Sequence, residues 1–326
     1  MKIGIIGCGN ISKTYFEGAD KCDNLTLKAC ADINEDAAKE KAEVYGCQAM
    51  TVDELLADKE IELVINLTIP RVHVEVGLQI LDAGKHLYAE KPLAIDLFDG
   101  RKLLAAAEAK GLRVGSAPDT FLFKGCQTTR KLIDDGWIGQ PLSGMAIMTC
   151  HGHERWHPAP AFYYDIGGGP MLDMGPYYIT ALVNLLGPVR SVIARCGRGF
   201  NERLATSEAA NGQIIPVKVD THQAGVLEMA NGALITMLMS FDIWGENLSK
   251  LSIFGTEGSI EAGNPNDFNA NPILTRPQDE VSREIPFSHA ENQRMIGVLD
   301  MVDAIKKDRP HRASGQLALH VLEVMQ

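Results

Sequence analysis

Short apolar runs alternate with helix-spaced stretches along the first third of the chain. Lys2–Ile6, Leu25–Ala31, Ile61–Leu67, His86–Ala89 and Arg113–Gly115 read as strands. Between them, Asn10–Ala19, Asp36–Tyr45, Val52–Ala57, Val72–Ala83 and Leu97–Lys110 read as helices. Gly46, Gly84 and Gly111 stand where helices favour a glycine stop. Near-continuous apolar strands that alternate with helices predict βαβ units and a doubly wound parallel sheet covered on both faces.

The pattern changes after Asp119. A helix over Lys124–Asp134 leads into strand candidates Leu142–Cys150, Val189–Cys196, Gln223–Met229, Ala233–Phe241 and Lys250–Phe254. Asn231-Gly232 marks a hairpin between two of them, and polar Asn201–Gly212 reads as a long loop. Runs of strands without alternation predict a second α/β domain with an open, largely antiparallel sheet. The Met-rich stretch Met229–Met239 suits strand core or an oligomer face. Helices follow over Asn292–Lys306 and Leu317–Met325. The expected division is a doubly wound domain over 1–119 and a second α/β domain over 120–312, with a last helix at about 313–326 packing back on the first.

Composition narrows the function. A chain of 326 residues with net charge −11 suits neither a phosphate backbone nor an anionic membrane as its main partner. No apolar stretch reaches the roughly 18 residues of a membrane span, and Ile3–Ile6 is too short for the core of a signal peptide. Seven cysteines, none in C-x-x-C spacing, support neither a disulfide framework nor a thiolate metal site and suit a cytoplasmic protein.

Chemistry enters at the first strand–helix turn. Gly7-Cys8-Gly9-Asn10-Ile11-Ser12 matches G-x-G-x-x-G with serine in the third place. Gly7 permits the tight turn, Gly9 lets backbone approach a pyrophosphate, and the helix start at Asn10 and Ile11 offers free N–H groups. Asp32 ends the second strand about 20 residues on, where a carboxylate accepts ribose hydroxyls and repels a 2′-phosphate. Together they predict NAD as cofactor. A purely structural turn with a surface Asp is the plainer alternative.

Two further segments carry reactive groups. Glu90-Lys91-Pro92 ends the strand His86–Ala89, at the end of the sheet where ligands bind. Farther on, Gly167-Gly168-Gly169 precedes Asp173 and Tyr177, four apart and on one face if helical, although Pro176 interrupts the pattern. Alone, each has a bland reading: a solvated lysine, and a flexible loop with a helix-start aspartate.

Taken with Asn66-Leu67-Thr68-Ile69-Pro70 and His73, these segments resemble the Gfo/Idh/MocA family of sugar and polyol dehydrogenases over nearly the whole chain. The resemblance implies that residues 1–119 form an NAD-binding Rossmann domain and residues 120–312 a substrate-binding and oligomerisation domain, with the substrate between the two and dimers or tetramers formed through the second domain's open sheet. It implies cofactor contacts from Leu67, Thr68, Pro70, His73, Glu90 and Lys91. It also implies catalytic roles for Lys91, Asp173 and Tyr177, the last standing where many members have histidine. A tyrosine ordinarily titrates near 10, and a neighbouring ammonium favours its phenolate. Tyr177 as acid/base tuned by Lys91 is therefore the expectation, with Lys91 itself as runner-up and Asp173 orienting the sugar.

One segment departs from the family. Many members carry Asn-x-Arg where this chain has Ala117-Pro118-Asp119, so Asp119 either binds substrate hydroxyls or caps the helix that follows. In His151-Gly152-His153-Glu154-Arg155-Trp156-His157, rich in ligand types, His151 and His153 alternate at a strand end and share one face, but no third metal ligand shows by spacing. Trp156 and His157 are candidates for lining a sugar pocket, with packing as the alternative. Arg195, Arg198 and Arg203 read as scattered, solvated charges. The leading expectation is an NAD-dependent dehydrogenase or reductase acting on a sugar or polyol. A redox-neutral NAD-using enzyme and a noncatalytic NAD-binding regulator are the alternatives.

Overall fold

The computed structural model describes residues 1–22, 24–245, 251–267, 271–286 and 294–326. The chain forms two compact units: Met1–Asp119 with Asn292–Val324 and Gln326, and Thr120–Glu291 with Met325.

In the first unit the order is β1 (Lys2–Ile6), α1 (Ser12–Asp20), β2 (Thr26–Ala31), α2 (Glu35–Tyr45), β3 (Gln48–Ala49), α3 (Val52–Ala57), β4 (Leu63–Asn66), α4 (His73–Asp82), β5 (His86–Ala89), α5 (Leu97–Ala109) and β6 (Val114–Ser116). The strands pair in parallel in the order β3-β2-β1-β4-β5-β6. Strand order reverses between β1 and β4, which opens a crevice at their carboxyl ends. Ile3, Ile5, Leu63, Val64, Ile65 and Leu87 are fully buried, as a sheet covered on both faces requires.

The second unit contains α6 (Lys124–Asp134), β7 (Pro141–Thr149), α7 (Gly169–Leu186), β8 (Val189–Gly197), β9 (Glu202–Leu204), β10 (Ile214–Pro216), β11 (His222–Met229), β12 (Leu234–Ser240), β13 (Leu251–Gly255), β14 (Ser259–Glu261), β15 (Ile273–Thr275) and β16 (Arg283–Glu284). Eight of these strands form one sheet in the order β16-β15-β14-β13-β7-β12-β11-β8. Only β7 and β12 pair in parallel there. Asn231 and Gly232 turn β11 into β12: Gly232 has φ +89° and the Asn231 side chain accepts from the Ala233 N–H. Helix α7 packs across β7, β11 and β12. Met229, Ile235, Met237 and Met239 are buried. Residues 201–212, expected as loop, instead supply β9, whose partner β10 completes a small two-stranded sheet.

Two helices near the C-terminus belong to the first unit by contact. In α8 (Ile296–Lys306), Val298, Met301 and Val302 are buried. A Cβ on Gly115 would lie 2.9 Å from the Met301 sulfur, and one on Gly297 would lie 2.3 Å from the Tyr88 hydroxyl. Two glycines thus let α8 sit directly against β5 and β6, whereas the sequence reading assigns residues up to 312 to the second domain. In α9 (Gly315–Met325), Leu319 and Leu322 reach Gly100 of α5. The expected strand start Lys250 and helix start Asn292 lie outside the described residues.

Candidate functional site

The glycine turn follows from backbone geometry. Gly7 has φ +104°, and a Cβ there would lie 2.6 Å from the Leu67 carbonyl carbon, so β1 and β4 can close on each other only without a side chain. A Cβ on Gly9 would meet nothing within 4 Å, leaving open space above the turn. Ser12 is fully buried and donates to the Gly9 carbonyl at 2.7 Å, which holds the turn onto α1. Ile11 caps α1 with no side-chain hydrogen bond, and the Ser12 and Thr14 N–H groups bond to the Gly9 and Ile11 carbonyls, so no capping side chain occupies the start of the helix.

The Asp32 carboxylate is fixed at the end of β2. One oxygen accepts from the Cys8 N–H at 2.7 Å and the other from the Asn34 N–H at 2.8 Å. Each oxygen keeps a second lone pair for a ligand hydroxyl.

The ends of β4 and β5 are tied together by buried polar groups. Asn66 accepts from the Thr68 hydroxyl and donates to the His73 carbonyl. His73 is buried, with its ring nitrogens 2.8 Å from the Pro92 carbonyl and 2.9 Å from the Thr68 carbonyl. Burial pushes its pKa down, and the two carbonyls oppose that shift. Pro70 opens the short turn before α4. Glu90 accepts from the buried Tyr15 hydroxyl at 2.6 Å and from the Lys91 N–H at 3.0 Å. His73 and Glu90 thereby shape the loop that carries half-buried Lys91.

Within the second unit, α7 runs unbroken from Gly169 to Leu186 through Pro176. Pro176 forfeits a backbone hydrogen bond in the helix interior. The burial of Tyr177, Tyr178, Ile179, Ala181, Leu182 and Leu185 offsets that loss. Asp173 and Tyr177 are thus helical and share a face. Nε2 of His153 lies 3.3 Å from Oδ2 of Asp173. His153 and Trp156 line a cavity of about 570 Å³ with Thr149, His151, Met174 and Tyr178. His157 packs edge-on against Phe162 and Tyr163 instead.

The loop after β7 is anchored from behind. Glu154 accepts from the Tyr164 hydroxyl, and its Oε1 lies 3.3 Å from Nη1 of Arg203. Arg203 also bonds Asp242 and the Phe241 carbonyl, and its guanidinium lies 4.4 Å from the Phe200 ring centre.

Family comparisons match this layout. The model described as the oxidoreductase family, NAD-binding Rossmann fold, matches residues 1–117. The GFO/IDH/MocA C-terminal domain model matches residues 126–261. The chain belongs to the Gfo/Idh/MocA family.

Relatives of this Gfo/Idh/MocA protein include a myo-inositol 2-dehydrogenase of Thermotoga maritima, 21% identical over 97% of this chain and 91% of the relative. Another is a dTDP-3,4-didehydro-2,6-dideoxy-alpha-D-glucose 3-reductase of Actinomadura kijaniata, 31% identical over 57% of this chain and 56% of the relative. Among solved structures, a levoglucosan dehydrogenase in complex with NADH superposes with a TM-score of 0.81 at 20% identity, covering 100% of this chain and 95% of that one.

NAD is the cofactor of this Rossmann domain. The open space over Gly9, the uncapped start of α1 and the fixed Asp32 carboxylate fit its pyrophosphate and ribose.

Three sequence-based readings of the family member change. Asp119, expected either to bind substrate or to cap the next helix, is fully buried and accepts from the Gly297 N–H at 3.2 Å, so it caps the remote α8. Arg203, expected to be solvated, is 4% exposed. His151 and His153 part ways: His151 stacks on Trp244 at 3.4 Å while His153 meets Asp173. Among the described residues, no three His, Cys, Asp or Glu side chains are grouped to hold a metal. His153 carried one usable signal, its place in a ligand-rich loop at a strand end; nothing in the sequence named Asp173 as its partner.

Proposed function

We propose that the protein is an NAD-dependent dehydrogenase or reductase acting on a CH–OH carbon of a sugar or polyol. The observation that carries this reading is the Asp173–His153 pair beside a 570 Å³ cavity, on a chain whose relatives act on inositol and on a deoxysugar. Bound NAD accepts or supplies the hydride. Lys91 holds the reacting oxygen, Tyr177 exchanges the hydroxyl proton, and Asp173 orients the ring through neighbouring hydroxyls. The exposed Trp156 indole offers an apolar surface to one face of the sugar. Preference for NAD over NADP follows from the Asp32 charge.

The outer face of the second unit's sheet exposes Ile193, Val226 and Leu234, and Val226 pairs directly with Ile193. That apolar strip fits association of copies into a dimer or tetramer. None of the seven cysteines is in a disulfide, which suits a cytoplasmic setting.

The deciding experiment follows NADH absorbance over a panel of aldoses, inositols and anhydrosugars, with NAD and NADP in parallel. NAD-linked turnover on a polyol is the expected result. Tight NAD binding with no turnover overturns the reading in favour of a regulator, and product formation without NADH accumulation favours redox-neutral chemistry.

A further inference from the structure

An imidazole from outside α7 reaches the helix face that carries Asp173. It comes from the loop after β7: Nε2 of His153 lies 3.3 Å from Oδ2 of Asp173, with side chains 13% and 17% exposed. The ring has little freedom. Tyr163 lies 4.4 Å away, Phe241 4.6 Å and Trp156 5.4 Å, centre to centre. The His153 carbonyl accepts from the N–H groups of Trp156 and His157. Its chain neighbour Glu154 is pinned by Arg203 and Tyr164. The ring that meets Asp173 is therefore held by packing, by backbone and by a buried ion pair next door. His153 also forms part of the cavity wall.

We infer that His153 is a positioning residue that holds the Asp173 carboxylate in the orientation that receives substrate hydroxyls. This inference rests on the polyol reading of the same site. A carboxylate on a helix surface samples several rotamers and loses that freedom when a ligand binds; a fixed partner removes the loss beforehand. The pair is also well placed electrostatically, since both groups are largely withdrawn from water. The groups facing the His153 ring are Asp173 on α7, and His157 and Tyr163 on the adjoining loop.

Three measurements on the full-length enzyme test this. His153→Ala raises the polyol KM about tenfold or more, lowers kcat less, and leaves NAD affinity unchanged; His153→Gln, which keeps an N–H donor, recovers much of the loss. In an Asp173→Asn background, His153→Ala adds little further. Nitrogen-15 NMR of the neutral ring shows the Nε2–H tautomer in the parent protein and loss of that preference in Asp173→Asn. An unchanged KM, equal damage to NAD affinity, additive penalties in the double variant, or a tautomer indifferent to Asp173 each overturns the inference. The NMR measurement needs no turnover, so a wrong polyol reading shows itself separately, as inactivity of the parent enzyme on every polyol.

Discussion

Asp119 and Arg294 face each other 3.6 Å apart inside the first unit, 0% and 7% exposed, with the Asp119 carboxylate also accepting from the Gly297 N–H. Burial raises the Asp119 pKa from its ordinary value of 3.8, and the Arg294 guanidinium opposes that shift without cancelling it. The folded state therefore binds this proton more tightly than the unfolded state. The contribution of Asp119 to stability is complete below the unfolded pKa and is lost as pH rises through the folded one. Asp119→Asn does not titrate, so its destabilisation relative to the parent is larger near pH 4 than near pH 7. Denaturant unfolding at both pH values checks this, and a difference of opposite sign refutes it.

Gly7 and Gly9 separate fold from cofactor binding. Gly7→Ala forces a side chain into a positive-φ position 2.6 Å from Leu67 backbone, and costs about 2 kcal/mol or more. Gly9→Ala meets no protein atom within 4 Å, so stability changes by less than about 1 kcal/mol while NAD affinity falls. Thermal unfolding with and without NAD distinguishes the two.

Asp32→Ser removes the carboxylate held by the Cys8 and Asn34 N–H groups. Loss of charge-assisted bonds to the ribose, about 1.5–3 kcal/mol, lowers kcat/KM for NAD by roughly 10- to 150-fold. The ratio of NADP to NAD efficiency rises at the same time, because the repulsion of a 2′-phosphate is gone. Steady-state kinetics with both cofactors provides the check; an unchanged ratio removes Asp32 from cofactor selection.

Arg203→Met leaves Glu154 and Asp242 buried without their shared cation. Breaking a buried ion cluster from one side costs about 3–5 kcal/mol. The loop that carries His153 and Trp156 loses its anchor, so protection of its amides from hydrogen exchange falls as well. Unfolding curves and exchange measured by mass spectrometry test both parts.

The sequence made some of these features legible and hid others. Local apolar patterning defines β1, β5, α3 and α6 to the residue, because each depends on neighbouring positions and backbone preferences. Helix α7 was harder to read. Its glycines and Pro176 obscure the helical signal, and burial against β7, β11 and β12 supplies the stability that propensity lacks. Strands β14–β16 are two or three residues long, too short to carry a period of their own.

By itself the sequence determined the parallel sheet, the glycine turn with Asp32 beyond it, and the hairpin at Asn231-Gly232. Each depends on residues within one or two elements, whose backbone limits are written locally. Only the tertiary structure decided which charges meet: His153 with Asp173, Asp119 with Arg294 and the start of α8, Arg203 with Glu154 and Asp242. A charged side chain has the same identity in water or in a core. Its partner is set by where remote elements pack, and for Asp119 that was governed by the close approach of α8 at Gly115 and Gly297.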